Sequence, residues 1–313
     1  HDTLCKKIKK AGGAEQYNAN KKYSEAVAVA AEACAEDTKG QTCYICTQAL
    51  HWKTKEGLVR MCACRGTAGF AHVSCLAEQA KILLDEAEYN NLGVNVINKR
   101  WLRWGECSLC KQEYHGLVAC ALGWACWKTY VGRPEADACR KSAMNQLGKG
   151  LNDAGHDGYA LIVKEAELAI HRRLGAPESH LLTVQANLAC TLDELGRYEE
   201  ALPMKRDVHS GHARLFGEEA SITLISANNY AYTLLELRRF EEARVLLRKT
   251  IPVARRVLGE SDTLKLTMRW NYARALFEDA AATHGDLREA VTTLEDTERI
   301  AKRVLGGAHP LTV

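Results

Sequence analysis

The chain has 313 residues, of which 47% are hydrophobic and 26% are charged, and its formal net charge is +3. This composition suits two folded domains, or one domain and a repeat array, and it excludes a largely disordered chain. So small a net charge gives no electrostatic argument for nucleic acid as a partner. Because the sequence begins with His1 rather than Met, we expect it to be a fragment.

The number of cysteines and the N-terminal pattern indicate whether the protein is secreted or intracellular. The chain has 13 cysteines, an odd number, and its N-terminus lacks the basic, apolar and small-residue order of a signal peptide. A secreted disulfide framework is therefore disfavoured, and reduced thiols that bind metal are favoured. We expect an intracellular, cytoplasmic protein.

The first predicted element is a helix. Residues 21–35 (KKYSEAVAVAAEACA) form an alanine-rich amphipathic pattern. We expect this helix to pack on the segment that follows it or on an upstream element. Residues 1–39 are therefore assigned as an N-terminal helical segment.

Residues 40–115 contain a series of metal-ligand residue types with the spacing C-x2-C-x15-C-x1-C-x7-H-x2-C-x31-C-x2-C. The candidate ligands are Cys43, Cys46, Cys62, Cys64, His72, Cys75, Cys107 and Cys110. Structural zinc takes four sulfur or imidazole ligands, and a C-x2-C pair reaches one ion from a tight turn. We therefore expect two zinc ions. Neither is expected to be catalytic, because eight ligands leave no open position for water.

The order of these ligands is shared by RING-CH fingers and by histone-reading fingers of the plant-homeodomain type. The single residue between Cys62 and Cys64, the gap of seven before His72, and the segments CACRGT and HVSCL resemble the RING-CH family. Histone-reading fingers have a wider second pair and a shorter gap before the histidine, although Trp104, just before Cys107, is typical of them. The resemblance implies a cross-braced pairing: Cys43, Cys46, His72 and Cys75 on one ion, and Cys62, Cys64, Cys107 and Cys110 on the other.

The resemblance also implies a function. RING-type ligases hold a ubiquitin-conjugating enzyme on an apolar surface of the zinc loops and act by positioning. Ile45 and Leu109 occupy the corresponding surface positions, and Lys111 stands where a cation contacts ubiquitin. Ser108 replaces a frequent proline, and the helix after Cys75 lacks a frequent tryptophan. The alternatives are a non-catalytic adaptor scaffold and a histone-reading finger.

The 31 residues between Cys75 and Cys107 are more than is usual in the family. About a dozen extra residues add only a few tenths of a kcal/mol of loop-closure entropy, against roughly 10 kcal/mol or more from structural zinc. Residues 76–89 have a helical pattern. The run KRWLRW at 99–104 is interpreted as packing beside the second zinc, in preference to contacting nucleic acid or another protein.

Residues 116–142 are predicted to form a linker helix. The apolar stretch 116–132 is shorter than a membrane span and contains Lys128, so no span is predicted. Trp124 and Trp127 favour a packed helix over a flexible tether. His115, Cys120 and Cys126 are not expected to form a further metal site. The remaining cysteines are interpreted as small apolar residues: Cys5, Cys34, Cys139 and Cys190.

Residues 143–313 contain a repeat. The segment NLACTLDELGRYEEA at Asn187 returns 42 residues later at Asn229 and again at Asn271, where five residues are inserted, and a weaker copy begins at Asn145. A Leu-Gly or Phe-Gly pair closes each unit, at Gly175, Gly217, Gly259 and Gly306. Each unit is predicted to be a helical hairpin that buries its apolar faces by stacking on its neighbours.

These units resemble the tetratricopeptide repeats of the kinesin light chain group, which close on a Leu-Gly pair followed by a His-Pro-like stretch, as at His309–Pro310. Such arrays bind a peptide or protein partner in a concave groove. Asn187, Asn229 and Asn271 are candidates for that groove, or they satisfy neighbouring helix ends. The predicted fold is mostly α: a small cross-braced two-zinc module followed by an α-solenoid.

Overall fold

The computed structural model describes residues 2–259 and 262–305. Within those ranges the secondary structure is helical apart from two isolated bridges, Val59–Ala71 and Glu106–Glu113, which confirms the predicted mostly α fold. The helices are α1 (Asp2–Ala11), α2 (Ala14–Ala33), α3 (Val73–Tyr89), α4 (Val94–Trp101), α5 (Gly116–Tyr130), α6 (Ala138–Asp153), α7 (Asp157–Arg173), α8 (Glu178–Glu194), α9 (Tyr198–Phe216), α10 (Ser221–Glu236), α11 (Phe240–Val257), α12 (Thr263–Phe277) and α13 (His284–Leu305). Gly306 and His309–Pro310 lie outside the described residues.

The chain divides into two compact units, residues 1–170 and 171–313. The domain boundaries expected from sequence stay predictions. None of the helices in the described ranges combines the length and the apolar character that a membrane crossing needs.

Helix α5 is the centre of the first unit. It is apolar on all sides, so it is buried between its neighbours α2, α3 and α6. Glycines permit close approach: a Cβ at Gly150 of α6 would lie 2.5 Å from the carbonyl oxygen of Ala119. Cys120 and Cys126 of α5 are part of this core.

The N-terminal helix and the zinc module share that core. Tyr23 and Val27 of α2 belong to the same cluster of buried side chains as Phe70 and Trp104. Helix α2 begins at Ala14, well before the predicted start at residue 21. The first turns of α2 are polar, so the apolar pattern does not reveal them. They are held by a long-range hydrogen bond from the Gln16 side chain to the backbone carbonyl of Lys128 (2.9 Å).

The second unit contains three consecutive helical hairpins, α8/α9, α10/α11 and α12/α13. Leu224, Leu247, Met268 and Leu276 form a core shared between the second and third hairpins, as a stacked repeat requires. The five inserted residues fall in the loop between α12 and α13. The weak copy at Asn145 lies in α6, which packs on α5 within the first unit.

Candidate metal centre

Two turns of the same geometry carry the C-x2-C pairs. In the first, the Cys43 N–H donates to the carbonyl of Gln48 (3.0 Å), and the Thr47 N–H donates to that of Cys43 (2.8 Å). In the second, the Cys107 N–H donates to Gln112 (2.9 Å), and the Lys111 N–H donates to Cys107 (3.0 Å). Thr47 and Lys111 both adopt left-handed backbone, with φ of 62° and 60°. The paired motifs therefore fold into two equivalent knuckles.

His72 and Cys75 lie at the start of α3. His72 precedes the helix directly, and the adjacent Val59–Ala71 bridge fixes its position. The His72 ring is fully buried, and its Nδ1 lies 3.3 Å from the Cys46 sulfur and 3.6 Å from the Cys75 sulfur. These three side chains and Cys43 have ligand atoms within 4.8 Å of one another.

The imidazole of His72 is held in a form that suits a ligand. Its Nε2 lies 3.3 Å from the carbonyl oxygen of Ala49. When Nε2 donates its proton there, the lone pair of Nδ1 points at the sulfurs, as in zinc sites whose second ring nitrogen is hydrogen-bonded to an outer partner. Burial lowers the pKa of His72, which further favours the neutral imidazole.

The second group gathers Cys62, Cys64, Cys107 and Cys110, whose sulfurs also lie within 4.8 Å of one another. The sulfurs of Cys64 and Cys107 are 3.7 Å apart. A disulfide would be about 2.05 Å, whereas two thiolates on one tetrahedral zinc, each at about 2.3 Å, are about 3.8 Å apart. Both groups therefore contain the four residues that the family resemblance pairs, and their donors fit zinc.

Backbone amides contribute to thiolate formation. Burial alone would raise the pKa of Cys107, but hydrogen bonds from the N–H groups of Cys110 and Leu109, together with the side chains of Tyr114 and Cys64, lower the pKa to about 7. Burial raises the pKa of Cys62 in the same group. A divalent cation bound between these sulfurs would supply the charge that holds all of them as thiolates.

Gly69 shows how closely the loop packs on this second group. Its φ is 86°, and a Cβ there would lie 2.6 Å from the Cys64 Cβ and 2.9 Å from the Cys64 sulfur. Only glycine satisfies both the backbone conformation and the space.

A hydroxyl pair joins the two knuckles. The oxygens of Tyr44 and Ser108 are 2.9 Å apart, and the Tyr44 N–H donates to the carbonyl of Phe70 (2.9 Å). Ser108 stands where the family often has proline, and its pairing with Tyr44 was not predicted. Leu109 is 49% exposed and Ile45 is half-buried. The exposed Lys111 ammonium donates to the Ser108 carbonyl.

The 31-residue span between Cys75 and Cys107 contains most of α3, all of α4 and a 3-10 turn at Leu102–Trp104. Trp104 is fully buried, with its ring edge-on to Tyr130 at 5.8 Å. Arg100 pairs with Glu86 at 3.2 Å. The basic and aromatic run is thus used in packing and in local ion pairs.

In the second unit, Asn187 and Asn229 are half-buried on α8 and α10. Asn271 is 3% exposed and donates to the side-chain oxygen of Asn228 (3.0 Å). Its amide is therefore used between the first helices of adjacent hairpins.

A buried ion pair in the second unit was missed from sequence. Asp193 and Lys205 form it with side chains that are 6% and 4% exposed, and Thr233 donates to the Asp193 carboxylate (3.1 Å). The sequence contains a sign of this ion pair, because the next repeat has leucine at the two equivalent positions, Leu235 and Leu247.

Comparison with known proteins agrees with this architecture. A family model described as RING-variant domain matches residues 43–88, and one described as tetratricopeptide repeat matches residues 181–219 and 223–263. The first match ends within α3, so the second knuckle with Cys107 and Cys110 lies outside it. No curated protein matches the chain.

Among solved structures, BtubC (BKLC) from P. vanneervenii is similar with a TM-score of 0.55 and 15% identity, over 76% of this chain and 92% of its own. Two forms of a Podosopora anserina protein with nearly identical TPR-like repeats, assigned as a kinesin light chain, are each 19% identical. Their TM-scores are 0.48 and 0.47, and the matches cover 75% and 74% of this chain and 98% and 97% of theirs. The two family matches show that the chain carries a RING-variant zinc-finger domain followed by tetratricopeptide repeats.

Proposed function

We propose that this chain is a RING-type ubiquitin ligase: its zinc module positions a ubiquitin-conjugating enzyme while its repeats recruit a protein partner or substrate. The observation that carries the proposal is the joined pair of knuckles. Ile45 and Leu109 each sit at the tip of one knuckle, and each follows one member of the Tyr44–Ser108 hydroxyl pair. The hydrogen bond between Tyr44 and Ser108 therefore fixes the two apolar side chains relative to each other. Such a ligase accelerates transfer by positioning and needs no catalytic side chain of its own.

Two zinc ions are part of the proposal. One would be held by Cys43, Cys46, His72 and Cys75, and the other by Cys62, Cys64, Cys107 and Cys110. Outside the helices this region has only two isolated bridges, so metal binding would supply much of its folding free energy, on the order of 10 kcal/mol per structural zinc. Thiolate ligands need reduced cysteines, which supports an intracellular, cytoplasmic location.

Lys111 is proposed to contact ubiquitin. It directly follows Cys110, and its left-handed backbone is fixed by the bond from its N–H to Cys107. The ammonium is exposed, so a negatively charged or carbonyl-bearing partner can replace its present acceptor, the Ser108 carbonyl.

The repeats are proposed to recruit the partner. Asn187 and Asn229 are half-buried on the first helices of two adjacent hairpins, and the Asn229 amide donates to the Cys190 sulfur (3.8 Å). An amide can pair with both donors and acceptors of a bound peptide backbone. Recruitment would raise the effective concentration of the target beside the bound conjugating enzyme.

A non-catalytic adaptor is the second candidate. Ser108 in place of proline and the missing tryptophan after Cys75 favour it, because both changes alter the surface that a conjugating enzyme would contact. A histone-reading finger is less well supported. Such a finger needs an exposed aromatic cage, and Trp104 is fully buried.

The test is ubiquitin transfer in vitro with activating enzyme, a panel of conjugating enzymes, ubiquitin and ATP. We expect ubiquitin chains with the wild-type chain and none with Cys62→Ser. Ile45→Ala and Leu109→Ala should lose transfer while keeping zinc. Val94→Ala is the matched control, because Val94 is also apolar and 67% exposed but lies on α4. No transfer by the zinc-loaded chain across the panel would favour the adaptor.

A further inference from the structure

A pocket in the second unit lies among three helices of the hairpins α10/α11 and α12/α13. It has a volume of about 330 Å³, within the range of ligand sites. Its walls are the second half of α11, the middle of α12 and the middle of α13. None of the residues assigned above to ubiquitin transfer or to the partner groove lines it.

Two carboxylates line the pocket, and arginines of this chain already pair with both. The Glu289 carboxylate lies 3.7 Å from the Arg248 guanidinium. The Asp296 carboxylate lies 3.5 Å from the Arg269 guanidinium, and it also pairs with Arg299. Both negative charges are therefore compensated within the chain.

Positive charge remains after these ion pairs are counted. Arg255 also lines the pocket, is exposed and forms no ion pair with a described residue. Because Arg269 and Arg299 share one carboxylate, the group contains four arginines and two carboxylates, which leaves an excess of two positive charges. Burial lowers the pKa of Arg269, and repulsion from Arg255 and Arg299 adds to this effect, although attraction to Asp296 opposes it.

Hydrogen-bond donors are available at the same place. A guanidinium carries five N–H donors, and the only ion-pair partner of Arg269 among the described residues is Asp296. The hydroxyl of Thr293, which also lines the pocket, donates to none of the described residues. A planar guanidinium can bind two oxygens of one phosphate group at once. The pocket therefore has both the charge and the donors that a phosphate group requires.

The stacking of the hairpins does not require these arginines. In the preceding repeat, 42 positions earlier, the residues equivalent to Arg255 and Arg269 are Ala213 and Ala227. Helices α9 and α10 pack on each other with alanine at both positions. The two cations are thus particular to the later hairpins, which indicates a role other than packing.

We propose that this pocket binds the phosphate group of a phosphorylated side chain in a partner protein, with Arg255 and Arg269 as its cations and Thr293 as a hydroxyl donor. A phosphoserine carries about −1.5 to −2 charges at pH 7, which matches the excess of two positive charges better than a carboxylate does. Ile251 and Pro252 line the same pocket and form an apolar surface for the residue beside the phosphate. The site would make partner binding depend on phosphorylation, and it rests on the recruitment proposed for the repeats.

The experiment uses the full chain and pools of short fluorescent peptides, in which the central residue is fixed and the other positions are random uncharged residues. The central residue is phosphoserine in the first pool, glutamate in the second and serine in the third. Fluorescence anisotropy measures binding, with inorganic phosphate as a competitor. We expect the phosphoserine pool to bind at least about tenfold more tightly than the other pools and than inorganic phosphate. Its binding should weaken at high salt.

Variants locate the site. Arg255→Ala and Arg269→Ala introduce the residue that the preceding repeat has, so each should fold, and each should weaken binding of the phosphoserine pool about tenfold or more. Arg256→Ala is the matched control, because Arg256 is the next residue of α11, is exposed and pairs with Glu219 outside the pocket. Circular dichroism and urea unfolding establish that each variant is folded.

Three results would overturn the proposal. The first is no binding of the phosphoserine pool below about 1 mM. The second is equal binding of that pool by wild type and by Arg255→Ala. The third is binding of the glutamate pool or of inorganic phosphate as tight as that of the phosphoserine pool.

Ubiquitin-chain formation without a substrate is measured separately on the same proteins. Arg255→Ala should leave it unchanged, because Arg255 belongs to the second unit and is not part of the zinc module. A chain that binds the phosphoserine pool but forms no ubiquitin chains would contradict the ligase function and leave the pocket assignment intact. The converse result would contradict the pocket alone.

Discussion

Replacing Gly69 by alanine tests whether Cys64 belongs to a metal site of defined geometry. Gly66, three residues earlier in the same loop, supplies a matched control. Both glycines have left-handed backbone, with φ of 86° at Gly69 and 62° at Gly66. Either alanine therefore introduces a strain of roughly 1–2 kcal/mol. Only Gly69 lacks space, because the control position has nothing within 4 Å of the new Cβ.

The clash at Gly69 sets the size of the effect. The new Cβ would lie 2.6 Å from that of Cys64, where ordinary contact begins at 3.4 Å, so one of them must move about 0.8 Å. Zinc–ligand distances in a real site vary by only about 0.2 Å. Moving Cys64 would therefore break its bond to zinc. We expect the second site to lose at least about 100-fold in zinc affinity, the upper end of what loss of an outer partner causes.

Native mass spectrometry at increasing chelator concentration measures how many zinc ions each variant retains. Wild type and Gly66→Ala should retain two zinc ions at chelator concentrations that leave Gly69→Ala with one. The ion held with His72 should survive in all three. Equal zinc retention by the two alanine variants would refute the geometry assigned to Cys64.

Three further predictions concern other parts of the chain. Lys205→Met should lower the unfolding free energy, measured in urea, by about 3–5 kcal/mol, because it leaves Asp193 buried without its cation. Replacing both Asp193 and Lys205 by leucine should restore the stability. A double variant as unstable as the single one would contradict this. Tyr44→Phe should keep zinc but slow ubiquitin transfer about threefold to tenfold, and adding Ser108→Ala should cause no further loss; additive losses would show that the hydroxyls act separately. Burial lowers the pKa of His212, so unfolded chains bind more protons and stability should fall as pH drops below about 6.5 towards the lower folded pKa. His212→Leu should flatten that slope in urea titrations between pH 7 and pH 5, and an unchanged slope would contradict the assignment.

Features fixed by short-range spacing could be predicted from the sequence. Each C-x2-C pair closes its own turn, as at Cys43 and Cys107, and each repeat forms its own hairpin, so counting residues was sufficient. The helix after Cys75 was likewise visible in its apolar pattern, and the structure extends it over Val73–Tyr89.

Features that depend on distant contacts could not be predicted in this way. The hydroxyl pair joins Tyr44 to Ser108 across 64 positions of the chain. The Lys128 ammonium lies over the Tyr23 ring because α2 and α5 meet, and a lone lysine in an apolar stretch gives no sign of that contact. The burial of Asn271 was also not predicted, because whether an amide faces a groove or a neighbouring helix depends on how the hairpins stack.

X-ray absorption at the zinc edge tests the proposed metal centre most directly, since it reports donor atoms and distances without a partner protein. Seven cysteines and one histidine on two ions predict a first shell dominated by sulfur at about 2.3 Å, with one nitrogen in eight donors at about 2.0–2.1 Å. A shell dominated by oxygen or nitrogen would contradict the cross-braced zinc module and the ligase surface that depends on it.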